Sequence, residues 1–116
     1  MIHHVGIEIL PADVERAVEF FELLGFEQVE PPPTLAEFTW LERNGTQVHL
    51  MPDPDPQVPP RGHLAVVVED FDGSFARLGA AGFEVERARE HWRVPRAHAV
   101  APGGHRVELI AAPPKD

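Results

Sequence analysis

Gly103-Gly104-His105-Arg106-Val107-Glu108-Leu109-Ile110 is a near-copy of Asn44-Gly45-Thr46-Gln47-Val48-His49-Leu50-Met51. Both read as glycine followed by a strand with alternating faces, and His49 and Glu108 stand 59 positions apart. His4 and His63 are separated by the same interval. The chain therefore reads as one module written twice, with two metal-competent positions in each copy.

Working back from the first hairpin, Asn44-Gly45 is a strong signal for a two-residue type I′ turn, and it fixes a register. Arg43 pairs with Thr46, Leu41 with Val48, Trp40 with His49 and Phe38 with Met51. Opposed residues share a face, so Phe38, Trp40, Glu42, Gln47 and Met51 are expected on the His49 side. Upstream, residues 2–10 alternate, with Val5, Ile7 and Ile9 on one face and His4, Gly6 and Glu8 on the other. Pro11 breaks that strand. Asp13 is a candidate N-cap for a helix carrying Val14, Ala17, Val18, Phe21 and Leu24, which Gly25 ends. Residues 26–30 form a short strand, and Pro31-Pro32-Pro33 a loop or sheet edge.

The second copy follows a proline-rich linker, residues 53–61, which divides the chain into modules 1–52 and 62–112. Residues 63–69 alternate again, Phe71, Phe75 and Leu78 mark a helix shorter than the first, and residues 83–89 form the next strand. Glu90 to Arg96 reads as a loop. Ala97–Val100 and Arg106–Ile110 flank a turn at Ala101–Gly104. Transferring the first hairpin's register places Ala99 opposite Glu108, with Ala97, Ala101 and Arg106 on the same face and His98 toward the helix.

The fold expected is α+β, two repeated βαβββ modules forming a curved mixed sheet around a metal-binding cleft. His4, His49, His63 and Glu108 are the metal candidates. Three imidazoles and a carboxylate suit one divalent ion of zinc, nickel, cobalt, manganese or iron. Phe38, Trp40, Met51, Ala97 and Ala99 are expected to line the cleft, and Arg106 to anchor an anionic group of the substrate. His3, His91 and His105 read as solvated.

Composition narrows the rest. The 116 residues suffice for one domain whose halves would be marginal alone. The absence of cysteine excludes thiolate ligands, cysteine nucleophiles and disulfides. A formal charge of −9 with dispersed Lys and Arg disfavours a nucleic-acid partner. The first residues lack a secretory pattern, and no apolar run is long enough for a membrane span, so a soluble cytoplasmic protein is expected.

The paired modules, with His4-Val5, Leu24-Gly25-Phe26, Gln47-Val48-His49-Leu50, Gly62-His63-Leu64-Ala65 and Pro102-Gly103-Gly104-His105-Arg106-Val107-Glu108-Leu109, resemble the vicinal oxygen chelate superfamily. It includes glyoxalase I, methylmalonyl-CoA epimerase, extradiol dioxygenases, fosfomycin-resistance transferases and bleomycin-resistance binding proteins. The resemblance implies that His4, His49, His63 and Glu108 occupy the family's metal positions. Glyoxalase I usually carries a carboxylate where His49 stands, whereas His4, His63 and Glu108 match the two-histidine, one-carboxylate set of the dioxygenases and fosfomycin transferases.

The function so implied is that of a metal-dependent, glyoxalase-like lyase, isomerase or epimerase for a small substrate with neighbouring oxygens. Glu108 is then the candidate catalytic base. A metal-free drug-binding protein of the bleomycin-resistance type is the alternative, and an iron-dependent ring-cleaving dioxygenase a third. A homodimer is expected by the same resemblance.

Overall fold

The computed structural model describes residues 1–114. It contains two four-stranded mixed sheets with one helix of ten residues in each half, an α+β fold. The chain divides into two compact units, Met1–Val58 and a second from Pro59 onward. No helix among the described residues is long and apolar enough to cross a membrane.

The first unit runs β1 (His4–Ile9), α1 (Val14–Leu23), β2 (Glu27–Val29), β3 (Thr39–Arg43) and β4 (Thr46–Pro52). Its sheet order is β1-β4-β3-β2, with β1 parallel to β4 and the other pairs antiparallel. The Asn44-Gly45 turn has φ of 51° and 82°, the left-handed pair that a type I′ turn demands. It delivers the expected register, Arg43 to Thr46, Leu41 to Val48 and Trp40 to His49. Alternation then sends Ile7, Ile9, Leu41, Val48 and Leu50 into the core with Phe20 and Phe21 of α1. Both phenylalanine rings are fully buried, each stabilising the unit by about 1.5–3 kcal/mol. Asp13 precedes α1 but makes no capping bond; a 3-10 turn, Pro11–Asp13, leads the chain into the helix instead.

The second unit repeats the plan with β5 (Leu64–Val67), α2 (Phe71–Ala80), β6 (Val85–Ala88), β7 (Arg96–Ala101) and β8 (His105–Ile110), in the order β5-β8-β7-β6. Asp70 caps α2, its side chain accepting the Gly73 N–H at 3.2 Å. A Cβ on Gly73 would lie 2.1 Å from that carboxylate, so the tight cap requires glycine. The two helices are equal in length, correcting the expectation of a shorter second one. The chain lost in the second copy comes out of the connection, which has no counterpart to the 3-10 turn before α1.

The second hairpin departs from the transferred register. Ala101 pairs with His105, so three residues rather than two lie in the turn, with Gly103 and Gly104 both at φ 91°. The additional residue moves β7 by one position against β8, and a shift of one exchanges the faces of a strand. His98 is therefore opposite Glu108, while Ala97 and Ala99 are opposite Leu109 and Val107. Ala97 and Ala99 are fully buried in the helix-covered core and do not belong to the Glu108 face. Arg96 and His98 take that face instead.

Candidate functional site

Each unit presents one sheet face away from its helix, and each face is built from the ends of its strands. In the first unit, His4 on edge strand β1 and His49 on central β4 come together, with ring centroids 4.1 Å apart and planes 15° apart. Trp40, opposite His49 on β3, stacks on that imidazole's other face at 3.9 Å and 1°. The result is a three-ring column, Trp40, His49, His4, with His3 edge-on to His4. The Nδ1 atoms of His3 and His4 lie 3.0 Å apart, within hydrogen-bond distance. Met51 sits farther along β4 against Gly6, where an added Cβ would approach its Cε to 3.0 Å. Phe38 precedes β3 in a turn closed by its N–H to the Leu35 carbonyl at 3.0 Å, and is half-buried rather than paired with Met51.

A polar chain sets the His49 tautomer. Gln47 donates through its amide nitrogen to Glu42 at 2.9 Å, so its amide oxygen faces His49 Nε2 at 2.7 Å and must accept a proton from it. His49 thus carries its proton on Nε2 and keeps a lone pair on Nδ1. Burial, with the neighbouring His4 and His3, holds its pKa below the usual imidazole value. The Trp40 indole N–H is buried without a hydrogen-bond partner among the described residues.

The second unit's face is charged. Glu108 of β8 and His63, just ahead of β5, come together with Nε2 and Oε1 3.4 Å apart. His63 Nδ1 lies 2.9 Å from the Arg61 carbonyl, which can only accept, so Nδ1 donates there and the other ring nitrogen, Nε2, faces the carboxylate. A nitrogen and a carboxylate oxygen so placed can share a proton or a metal cation. Two donors each about 2.1 Å from one ion at a tetrahedral angle stand about 3.4 Å apart, so this pair fits adjacent ligands of a first-row divalent metal. The carbonyl bond that orients the ring is the outer-shell arrangement common around metal-binding imidazoles.

Glu108 has another partner, which the sequence reading left in a loop. Arg96 donates through Nε to Oε2 at 3.3 Å and through an Nη to Oε1 at 3.0 Å. Both residues are 8% exposed. The hydrogen bonds from Arg96 hold the Glu108 carboxyl below the usual glutamate value, although burial pushes it upward. His98 lies across the ladder, its Nε2 3.5 Å from an Arg96 Nη. Burial and the Arg106 and Arg96 cations hold His98 below the usual imidazole value. Arg106 itself is exposed on β8, opposite Val100 and on the Glu108 face by alternation.

The structure therefore brings the four metal candidates together as two pairs within units, His4 with His49 and His63 with Glu108. The two pairs differ in fitness as chelators. The His63 and Glu108 donors converge, whereas the stacked His4 and His49 rings direct their lone pairs side by side, so a shared ion would require one ring to turn. Among the described residues, no group of three or more His, Asp or Glu is arranged to hold a metal ion. Arg96 and His98 could have been found in advance from β7 itself: Arg96-Ala97-His98-Ala99-Val100-Ala101 puts small apolar residues at every second position, the signature of a core face.

Comparison with known proteins agrees with this architecture. Residues 1–109 match the family model of the Glyoxalase/Bleomycin resistance protein/Dioxygenase superfamily. A Bacillus anthracis structure assigned to the glyoxalase family superposes with a TM-score of 0.82 at 23% identity, covering 95% of this chain and 93% of that one. The genomically encoded fosfomycin resistance protein FosX of Listeria monocytogenes gives 0.76 at 19%, covering 97% and 91%. A bleomycin resistance determinant encoded on transposon Tn5 gives 0.66 at 17%, covering 91% and 94%. These identities establish a common fold. No curated protein matches by sequence.

Proposed function

The chain belongs to the glyoxalase/bleomycin resistance protein/dioxygenase superfamily, and from that membership we propose that it acts on a small molecule with neighbouring oxygens through a divalent metal held in part by His63 and Glu108. The observation that carries this reading is His63 Nε2 facing Glu108 Oε1 at 3.4 Å, with the ring oriented from behind by the Arg61 carbonyl. Two donors hold such an ion weakly. The resemblance marks His4 and His49 as the first unit's metal positions, with His49 offering Nδ1 because its Nε2 is committed to Gln47.

When bound, a divalent ion supplies Lewis-acid stabilisation of an enolate or alkoxide as its charge develops. Lyase, isomerase and epimerase chemistry all use that charge. The chain's own contribution is positioning and proton transfer. With Arg96 holding down its basicity, Glu108 is better suited as a fixed ligand than as the base, and His98, neutral at neutral pH and directly across the ladder, takes the base role. Arg106 supplies a positive charge for an anionic substrate group. A homodimer accompanies this reading and is checked by sedimentation.

Metal analysis tests it directly. Tag-free protein exposed to a mixture of divalent ions and then desalted is expected to retain close to one equivalent, and Glu108→Gln far less. Retention near zero by the unsubstituted chain overturns the metal reading. That outcome favours the second one, a metal-free binding protein for planar drugs, for which the Trp40, His49 and His4 column is the specific support.

A further inference from the structure

We propose that Arg96 is the resident counter-ion of Glu108, which competes with a divalent cation for the carboxylate and thereby limits the metal affinity of the site. The inference rests on the metal reading above and concerns a residue to which that reading gives no ligand role.

The guanidinium is committed on every side. Two of its nitrogens take the two oxygens of Glu108. A third donates to the Arg89 carbonyl. The Trp92 ring covers its plane with a centroid distance of 5.7 Å, and that ring is itself tethered by its indole N–H to the Ala112 carbonyl at 3.4 Å. Such a side chain is held in place, not resting on the surface.

Its charge cannot be removed by deprotonation. An incoming dication therefore meets a carboxylate whose single negative charge is already compensated. It must also use Oε1, the oxygen that faces His63 and that an Arg96 Nη already occupies. Both effects raise the cost of metal entry relative to a free carboxylate at the same place. Nothing equivalent exists in the first unit. Counting back from each hairpin turn, the residue five positions before Ala101 is Arg96, and the residue five before Arg43 is Phe38. The internal cation is a property of the second copy alone.

An arginine on a metal-binding carboxylate could instead act as an orienting partner, and removal of such a partner weakens metal binding about 10- to 100-fold. The two roles predict opposite signs. Calorimetric titration of Zn²⁺ into chelator-stripped full chain, Arg96→Met and Arg96→Lys reads the difference. Arg96→Met is expected to bind Zn²⁺ about tenfold tighter while its metal-free form unfolds more easily, a combination that a merely structural role does not give. Arg96→Lys, which keeps the charge but not the two-pronged geometry, is expected to fall between.

Zinc affinity in Arg96→Met equal to or weaker than that of an unsubstituted chain that does bind zinc overturns the competition and leaves the metal reading standing. Binding only after the substitution supports competition and overturns the metal-dependent function proposed for the unsubstituted chain. No binding by either overturns both. If Arg96→Met does not fold, the unsubstituted chain still decides. The Arg96 Nε–H resonance is expected to shift and to exchange faster with solvent at zinc saturation, and an unmoved resonance overturns the proposal.

Discussion

The two units share a strand order and a helix position, yet the faces they leave uncovered have different chemistry. The first carries a column of neutral rings, Trp40, His49 and His4, steadied by the Glu42 to Gln47 hydrogen bond. The second carries a buried ion pair, Arg96 and Glu108, with two imidazoles beside it. The backbone was kept and the side-chain currency changed, from stacking in one copy to charge in the other. The difference teaches that a duplicated scaffold need not give duplicated half-sites.

The sharpest way to break the comparison is to unpair the second face. Arg96→Met leaves Glu108 without its cation, and loss of one member of a buried ion pair costs about 3–5 kcal/mol, to be read as a lower urea midpoint of the metal-free protein. Adding Glu108→Leu to it is expected to restore most of that loss, because an apolar pair of similar volume replaces a buried ion pair at little cost. If the double variant is no better than the single one, the pair is not the source of the loss.

Ala99→Leu tests the register. Its Cβ lies in the core opposite Val107, so overpacking is expected to cost about 1–3 kcal/mol. Thermal stability equal to that of the unsubstituted chain would return Ala99 to the open face.

The first face should respond to polarity much less. Trp40→Phe keeps a ring over His49 and removes the unpartnered indole N–H, so the lost packing and the relieved donor offset each other to within about 1 kcal/mol. A larger loss would show that the indole nitrogen has a partner in solution.

Acid separates the two histidines from the ion pair by the pH at which each loses its contribution in metal-free protein. His49 and His98 have folded pKa values below 6.5, so the unfolded chain binds more protons in the window just under 6.5 and stability declines as pH falls through it. Glu108, depressed chiefly by Arg96, contributes stability that is present above 4.5 and is lost as pH falls through its lower folded value. Replacing His49 and His98 by asparagine is expected to flatten the upper limb and leave the lower one. A stability profile that stays flat from neutral pH down to 5 in the unsubstituted chain would contradict both histidine shifts.

Much of this architecture is legible in the sequence because local signals agree with one another. Asn44-Gly45 fixes a turn, alternation in β1, β4 and β8 fixes inward faces, and the spaced phenylalanines fix the helices. Pairing of His4 with His49 and of His63 with Glu108 follows from strand parity and the repeat. The β7 face was not legible by transfer, since Pro102 could be counted either in the strand or in the turn, and parity depends on that single choice. Arg96 was hidden for the same reason: placed in a loop, it had no face and no partner. The orphaned indole of Trp40 and the tautomer of His49 depend on atoms that no residue pattern encodes.

The three-residue turn at Pro102-Gly103-Gly104 carries a lesson about how such copies diverge. Lengthening a loop by one amino acid swaps, in a single event, the entire set of groups that a neighbouring strand offers to a ligand. The same slip changes the set turned inward, which here is Ala97, Ala99 and Ala101, all buried. The length of a bend thus decides which side chains a duplicated module shows to a ligand.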